Sequence, residues 1–220
     1  MRCCDPRGCD SFFGTGFARR VAGRYRRRGL DRTARRMVGF LEREGVGGAT
    51  VLEIGGGVGE IHLELLGRGA ARAVNLELSA AYDDEAARLA GAAGVEGRVE
   101  RRLHDIAVDP EGVEAADVVV LHRVVCCYPD YERLLTAAAH HARRLLVFSH
   151  PPRTVGSRTL VALQNATFRL RGREFRTFAH PPAAMLDVCR RQGLSPTFAH
   201  AGVVWRVAGL SRPGQVKSAA

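Results

Sequence analysis

Residues Val51-Leu52-Glu53-Ile54-Gly55-Gly56-Gly57-Val58-Gly59 decide how this chain folds. A short apolar run closed by glycines reads as a buried strand that ends in a sharp turn, because glycine admits backbone conformations other residues avoid. A helix is expected to follow through Ile61, Leu63, Leu65 and Leu66. Gly55 and Gly57 fill the first two places of a dinucleotide fingerprint, G-x-G-x-x-G, but the third is Glu60. A carboxylate there would crowd and repel a pyrophosphate, so the loop asks for a ligand without phosphates.

The same texture continues downstream. Strands are expected at 73–77, 99–103, 116–121 and 144–149, with helices at 82–92 and 131–142 between them. Strand alternating with helix implies parallel βαβ units, hence an α/β, doubly wound, mostly parallel seven-stranded sheet. Residues 151–182 carry two Pro-Pro pairs and a basic, aromatic stretch, Phe168 to Phe175, and read as an insertion. A helix over 183–192 and strands over 196–200 and 203–210 complete the series. Upstream, residues 1–48 read as an N-terminal helical extension or cap. It holds Phe12, Phe13 and Phe17, a basic run from Arg19 to Arg28, and a helical face built on Met37, Val38, Phe40 and Leu41. The expected division is therefore cap 1–48, catalytic domain 49–212 and flexible tail 213–220.

With 220 residues, 46% of them apolar, the chain can bury a substantial core. No run of about 18 uncharged apolar residues suggests a membrane span. Met1-Arg2-Cys3-Cys4-Asp5-Pro6 lacks the apolar centre of a secretory signal. The expected location is the cytoplasm. The formal charge of +10 is nearly all arginine, since Lys217 is the sole lysine. That balance suits anionic partners such as nucleic acid or an acidic small molecule, and it equally suits a coding sequence biased toward arginine, alanine and glycine.

The G-x-G-x-G loop behind an acid resembles motif I of the class I S-adenosylmethionine (SAM) dependent methyltransferases, a Rossmann-like fold. Further positions agree with it. Glu77 ends the second strand about 20 residues beyond the glycines, where ribose hydroxyls are gripped in this fold class. His104-Asp105-Ile106 follows the third strand at the place where the family's aspartate meets adenine, and Asp117 to His122 resembles motif IV. The resemblance implies SAM as cofactor, with Glu53, Gly55, Gly57, Gly59, Glu77, Asp105 and His122 around it. Asn75-Leu76-Glu77-Leu78-Ser79, the run Leu121 to Asp130 and the Pro-rich segment after Ser149 look most like the magnesium-protoporphyrin O-methyltransferase group.

Methyl transfer from a sulfonium mainly requires a positioned acceptor and excluded water. His122, Tyr128, Asp130 and His150 fall at strand ends where an acceptor would sit, and any of them could orient or deprotonate it. Arg123 could pair with a substrate carboxylate, and Cys126 and Cys127 stand at the expected mouth. With Cys3, Cys4 and Cys9 they form either a soft ligand set or a group of small buried hydrophobes. None of the spacings is that of a zinc site, so no metal is assigned. The favoured acceptor is a small molecule, methylated on oxygen before sulfur or nitrogen. The alternatives are an RNA or DNA methyltransferase using Arg-rich segments 19–28 and 169–176, and a methyltransferase-like binding protein without catalysis. The amino-methylating motif [DNS]-P-P-[YFW] is missing after the fourth strand, where the chain reads His122-Arg123-Val124-Val125.

Overall fold

A computed structural model describes residues 12–214. Two helices lead, α1 (Thr15–Arg28) and α2 (Arg32–Arg43), followed by β1 (Thr50–Ile54), α3 (Glu60–Gly67), β2 (Arg72–Glu77), α4 (Asp83–Ala92), β3 (Val99–Leu103) and β4 (Ala116–Leu121). Then come α5 (Tyr131–His141), β5 (Ala142–His150), α6 (Val155–Leu170), α7 (Pro182–Arg191), β6 (Ser195–Ala201) and β7 (Arg206–Ser211). The seven strands form one sheet in the order β3-β2-β1-β4-β5-β7-β6. The first five are parallel, and β7 runs antiparallel to both β5 and β6. The doubly wound α/β sheet read from the sequence is what the chain forms.

Alternation of side chains along each central strand feeds two cores. In β4, Val118 and Val120 face a cluster with Met37, Phe40 and Leu41 of α2 and Ile61 and Leu65 of α3. Val119 and Leu121 face the opposite cluster, with Leu134 and Leu135 of α5 and Met185 and Val188 of α7. The unbroken apolar run Val118 to Leu121 is thus explained by burial on both sides. The strand order reverses between β1 and β4, and such a switch point opens a crevice at the strands' carboxyl ends.

Two expectations change. Strand β7 starts at Arg206 rather than 203, because Val203 and Val204 lie in the hairpin turn, 93% and 67% exposed. Residues 155–170, read only as an insertion, form a helix whose N-terminus is closed by a reciprocal Thr154–Ser157 capping box. Of its side chains only Phe168 is buried, so no apolar stripe marked it. Asp117 of the motif IV run stands at the start of β4, away from the crevice. It accepts hydrogen bonds from the Thr50 amide at 2.8 Å and the Thr50 hydroxyl at 2.9 Å, holding β1 and β4 in register.

Gly209 of β7 gives a direct test of the cap's seating. A Cβ there would lie 2.6 Å from the Phe40 ring of α2, so Gly209→Ala should overpack the joint and destabilise the fold by about 1–3 kcal/mol. A lowered denaturant midpoint with unchanged slope is the expected reading.

Candidate active site

Above the carboxyl ends of β1, β2 and β4 lies a cavity of about 390 Å³, within the size range of small-ligand sites. Its floor is the loop after β1. Gly57 adopts φ 57°, a left-handed conformation that a side chain would strain. This turns its amide toward Glu77, whose Oε2 accepts it at 2.8 Å while Oε1 accepts the Leu78 amide at 2.9 Å. Burial pushes the Glu77 carboxyl upward, against the pull of those N–H groups and the charge of Arg101. A carboxylate has about four lone-pair sites, so Glu77 keeps capacity for hydroxyl donors from the cavity. Asp105, beyond β3, also lines this space and receives the Tyr128 hydroxyl at 3.0 Å and 3.2 Å. Glu53 lies beneath the loop, its Oε2 taking the His62 amide at 3.1 Å and facing His62 Nδ1 at 2.6 Å.

A half-buried ionic network joins the cap to the far wall. Asp31 caps α2 by accepting the Thr33 and Ala34 amides. Its other oxygen lies 2.6 Å from Arg123 Nη2, 3.7 Å from Arg24 Nη1 and 3.6 Å from His122 Nε2. Burial would raise the Asp31 carboxyl, yet hydrogen bonds from His122 and Ala34 and the charges of His122 and Arg123 hold it well below the usual carboxylate range. Arg24 also reaches Glu60 at 3.0 Å. Burial pushes the Glu60 carboxyl up despite that partner. The Ser149 hydroxyl accepts the Arg123 amide at 2.8 Å and stands 3.1 Å from His122 Nδ1. Its single proton is thereby free for Nδ1, which leaves the His122 Nε2 proton facing Asp31. Asp31, Glu60 and His122 place donor atoms within 4.8 Å of one another, but both carboxylates already face guanidinium groups.

Comparison with known proteins agrees with this geometry. Residues 52–144 match the family model described as a methyltransferase domain. The methyltransferase fold extends over nearly the whole chain. Magnesium protoporphyrin IX methyltransferase from Synechocystis, with bound S-adenosylhomocysteine, superposes with a TM-score of 0.70 at 21% identity, covering 92% of this chain and 97% of that one. An O-methyltransferase family protein from Burkholderia thailandensis gives 0.65 at 22% identity, over 84% of this chain and 57% of its own. A family 2 O-methyltransferase from Planctomyces limnophilus, in complex with apigenin, gives 0.60 at 18%, over 84% and 63%. Comparison with curated proteins gives no match. The chain thus has the fold of SAM-dependent methyltransferases, and its resemblance is to the magnesium-protoporphyrin group.

In the methyltransferase domain, Glu53, Gly55, Gly57, Glu77, Asp105, His122, Arg123, Cys127 and Tyr128 all line the 390 Å³ cavity. Gly59 does not. It is the left-handed N-cap of α3, where a Cβ would run into the His62 ring. Asp130 also lies outside the cavity wall, capping α5 through the Arg133 amide at 3.0 Å. His150 is buried at the end of β5 with Nδ1 2.9 Å from the Pro151 carbonyl, and burial lowers its pKa. Cys126 lines a second cavity beyond the first. Reading the sequence missed Phe13, Phe17, Tyr82, Arg24 and Ser149. Aromatic residues set among glycines in the cap were visible, but their docking against Tyr82, at 6.4 Å and 6.5 Å between ring centres, is a long-range contact.

Asparagine caps helices as well as aspartate does, so Asp31→Asn isolates the charge. The substitution should cost roughly 1–3 kcal/mol at neutral pH, as for hydrogen bonds between charged groups. Because the folded carboxyl is depressed, its contribution is present above the unfolded value of about 3.9 and fades as pH falls below it. Thermal melts across pH should show the gap between wild type and variant closing only in acid.

Proposed function

We propose that this chain transfers a methyl group from SAM, held in the acid-lined cavity at the sheet's switch point, to an oxygen of an apolar small molecule held in the cavity next to it. One observation carries the reading. A second cavity of about 480 Å³ adjoins the first, and Phe13, Arg123 and Cys127 belong to both walls. Its remaining lining is largely apolar, with Phe12, Phe175, Phe178, Trp205 and Leu160.

The first cavity suits the cofactor by its donor set. Arg20, Arg24 and Arg123 line it too, with Arg24 paired to Glu60, while Glu53, Glu77 and Asp105 stand around the glycine loop, where acids favour a cationic nucleoside over a phosphorylated one. Bound there, SAM would supply an electrophilic methyl on a sulfonium. Glu77 would hold the ribose hydroxyls, Asp105 would face the adenine end, and the Gly55 to Gly57 backbone would let the ligand approach closely. On the acceptor side, Phe13 and Phe17 roof the first cavity and exclude water. His122, held at Nδ1 by Ser149 and with Asp31 behind it, lines the cavity where its Nε2–H would orient an acceptor oxygen. Oxygen is favoured because the amino-methylating motif is missing after β4, where His122 and Arg123 stand instead.

The basic character of the cap speaks less for nucleic acid than its composition suggests. Arg24 is spent on Glu60 and Asp31, and Arg26 pairs with Glu85 at 3.2 Å. No helix among the described residues is long and apolar enough to cross a membrane.

Incubating the protein with methyl-labelled SAM and fractionated extract distinguishes the acceptors. The label should enter organic-extractable small molecules and should fall sharply in His122→Ala while SAM binding persists. Label in RNA or DNA, or equal transfer by His122→Ala, would overturn this reading.

A further inference from the structure

Between the two cavities stands a pair of sulfurs. Cys126 and Cys127 are neighbours in a single tight turn over Val125–Cys127, and their Sγ atoms lie 3.5 Å apart. In an extended chain successive side chains point to opposite faces. The turn brings them round to one side. Arg123 makes this possible, since among described non-glycine residues it alone has positive φ, 60°. Such a conformation is costly for a side chain and persists only where surroundings hold it. Ser149 fixes the Arg123 amide, Asp31 fixes its guanidinium, and Trp205 lies under that group at 5.1 Å. The strained turn points the Arg123 carbonyl at both thiols, 3.4 Å from Cys126 Sγ and 3.6 Å from Cys127 Sγ.

Packing alone does not account for the pair. Cys189 shows what a packing thiol looks like here, fully buried in the second core with its pKa pushed up by burial to about 12. Cys126 and Cys127 instead form wall, Cys127 on both cavities and Cys126 on the second. Two adjacent soft donors facing one space are a chelating set.

We infer that Cys126 and Cys127 together bind a trivalent thiophilic metalloid, of the arsenite class, at the junction of the two cavities. A tetrahedral metal such as zinc wants four ligands, and the turn offers two sulfurs. A trivalent metalloid needs only those two and keeps one hydroxyl. The exchange balances without redox change: two metalloid–oxygen bonds break, two metalloid–sulfur bonds form, and the thiol protons leave with the displaced hydroxyls as two waters. This site does not depend on methyl transfer, and SAM titration of the same preparation keeps the two readings separate. Cys3, Cys4 and Cys9 lie outside the described residues and are tested on their own.

The probe is phenylarsine oxide, added to the whole reduced chain and followed by intact mass and peptide mapping. The expected result is one adduct per chain on the peptide holding Cys126 and Cys127, resistant to excess glutathione and removed by a dithiol. It should survive in the Cys3→Ser, Cys4→Ser, Cys9→Ser triple variant and in Cys189→Ser, and be lost in Cys126→Ser and in Cys127→Ser. Mapping on the wild type gives the answer even where a substitution impairs folding. An adduct that glutathione strips, that maps elsewhere, that persists in Cys127→Ser or that disappears in the triple variant would overturn the inference.

Discussion

The bond between the Gly57 amide and the Glu77 carboxylate, 2.8 Å long, is the constraint from which the site follows. A carboxylate this deeply buried is expensive unless fixed donors meet it. Here the donors are backbone amides, and that of Gly57 is presented only because the chain turns at glycine. The loop after β1 and the end of β2 therefore define each other, and they do so where the sheet reverses its order. Removing either the left-handed glycine or the acid would undo both the turn and the face it offers to a ligand.

The second organising feature is the way the N-terminal helices close the site. Small residues, Ala18, Ala22 and Gly23, let α1 lie close to the domain, while its arginines and tyrosine reach acids on α3 and α4. Asp31 then gathers Arg24, Arg123 and His122 around one carboxylate. The cap is thus held by charges that also shape the far wall of the cavity, so its seating and the positions of His122 and Arg123 are one arrangement. These half-buried pairs give the cap a defined position rather than a loose one.

Much of this was legible in the residues, for identifiable reasons. The central strands are largely apolar runs, and the glycine loop has a spacing with few structural meanings, so the fold and the floor of the crevice could be read locally. Glu77 and Asp105 fall at strand ends, which the alternation of elements locates. Asp130 and His150 stood near the right strand ends, yet one is bound to its own helix and the other is buried against its own chain. The helix over 155–170 was hidden because its apolar residues, including Leu160 and Leu163, face outward. The ionic network could not be read at all, since Asp31 and Arg123 are far apart in sequence and meet only when the cap folds back.

The central claim is that the crevice floored by Gly57 and Glu77 receives SAM. Calorimetric titration of the purified chain with S-adenosylhomocysteine, the demethylated product, tests it most directly, with Glu77→Ala alongside. The account expects one saturable site per chain, and a loss of about 1–3 kcal/mol of binding free energy, roughly 5- to 150-fold in affinity, when the carboxylate is removed. No heat of binding in a folded wild-type protein, or equal affinity in Glu77→Ala, would contradict it.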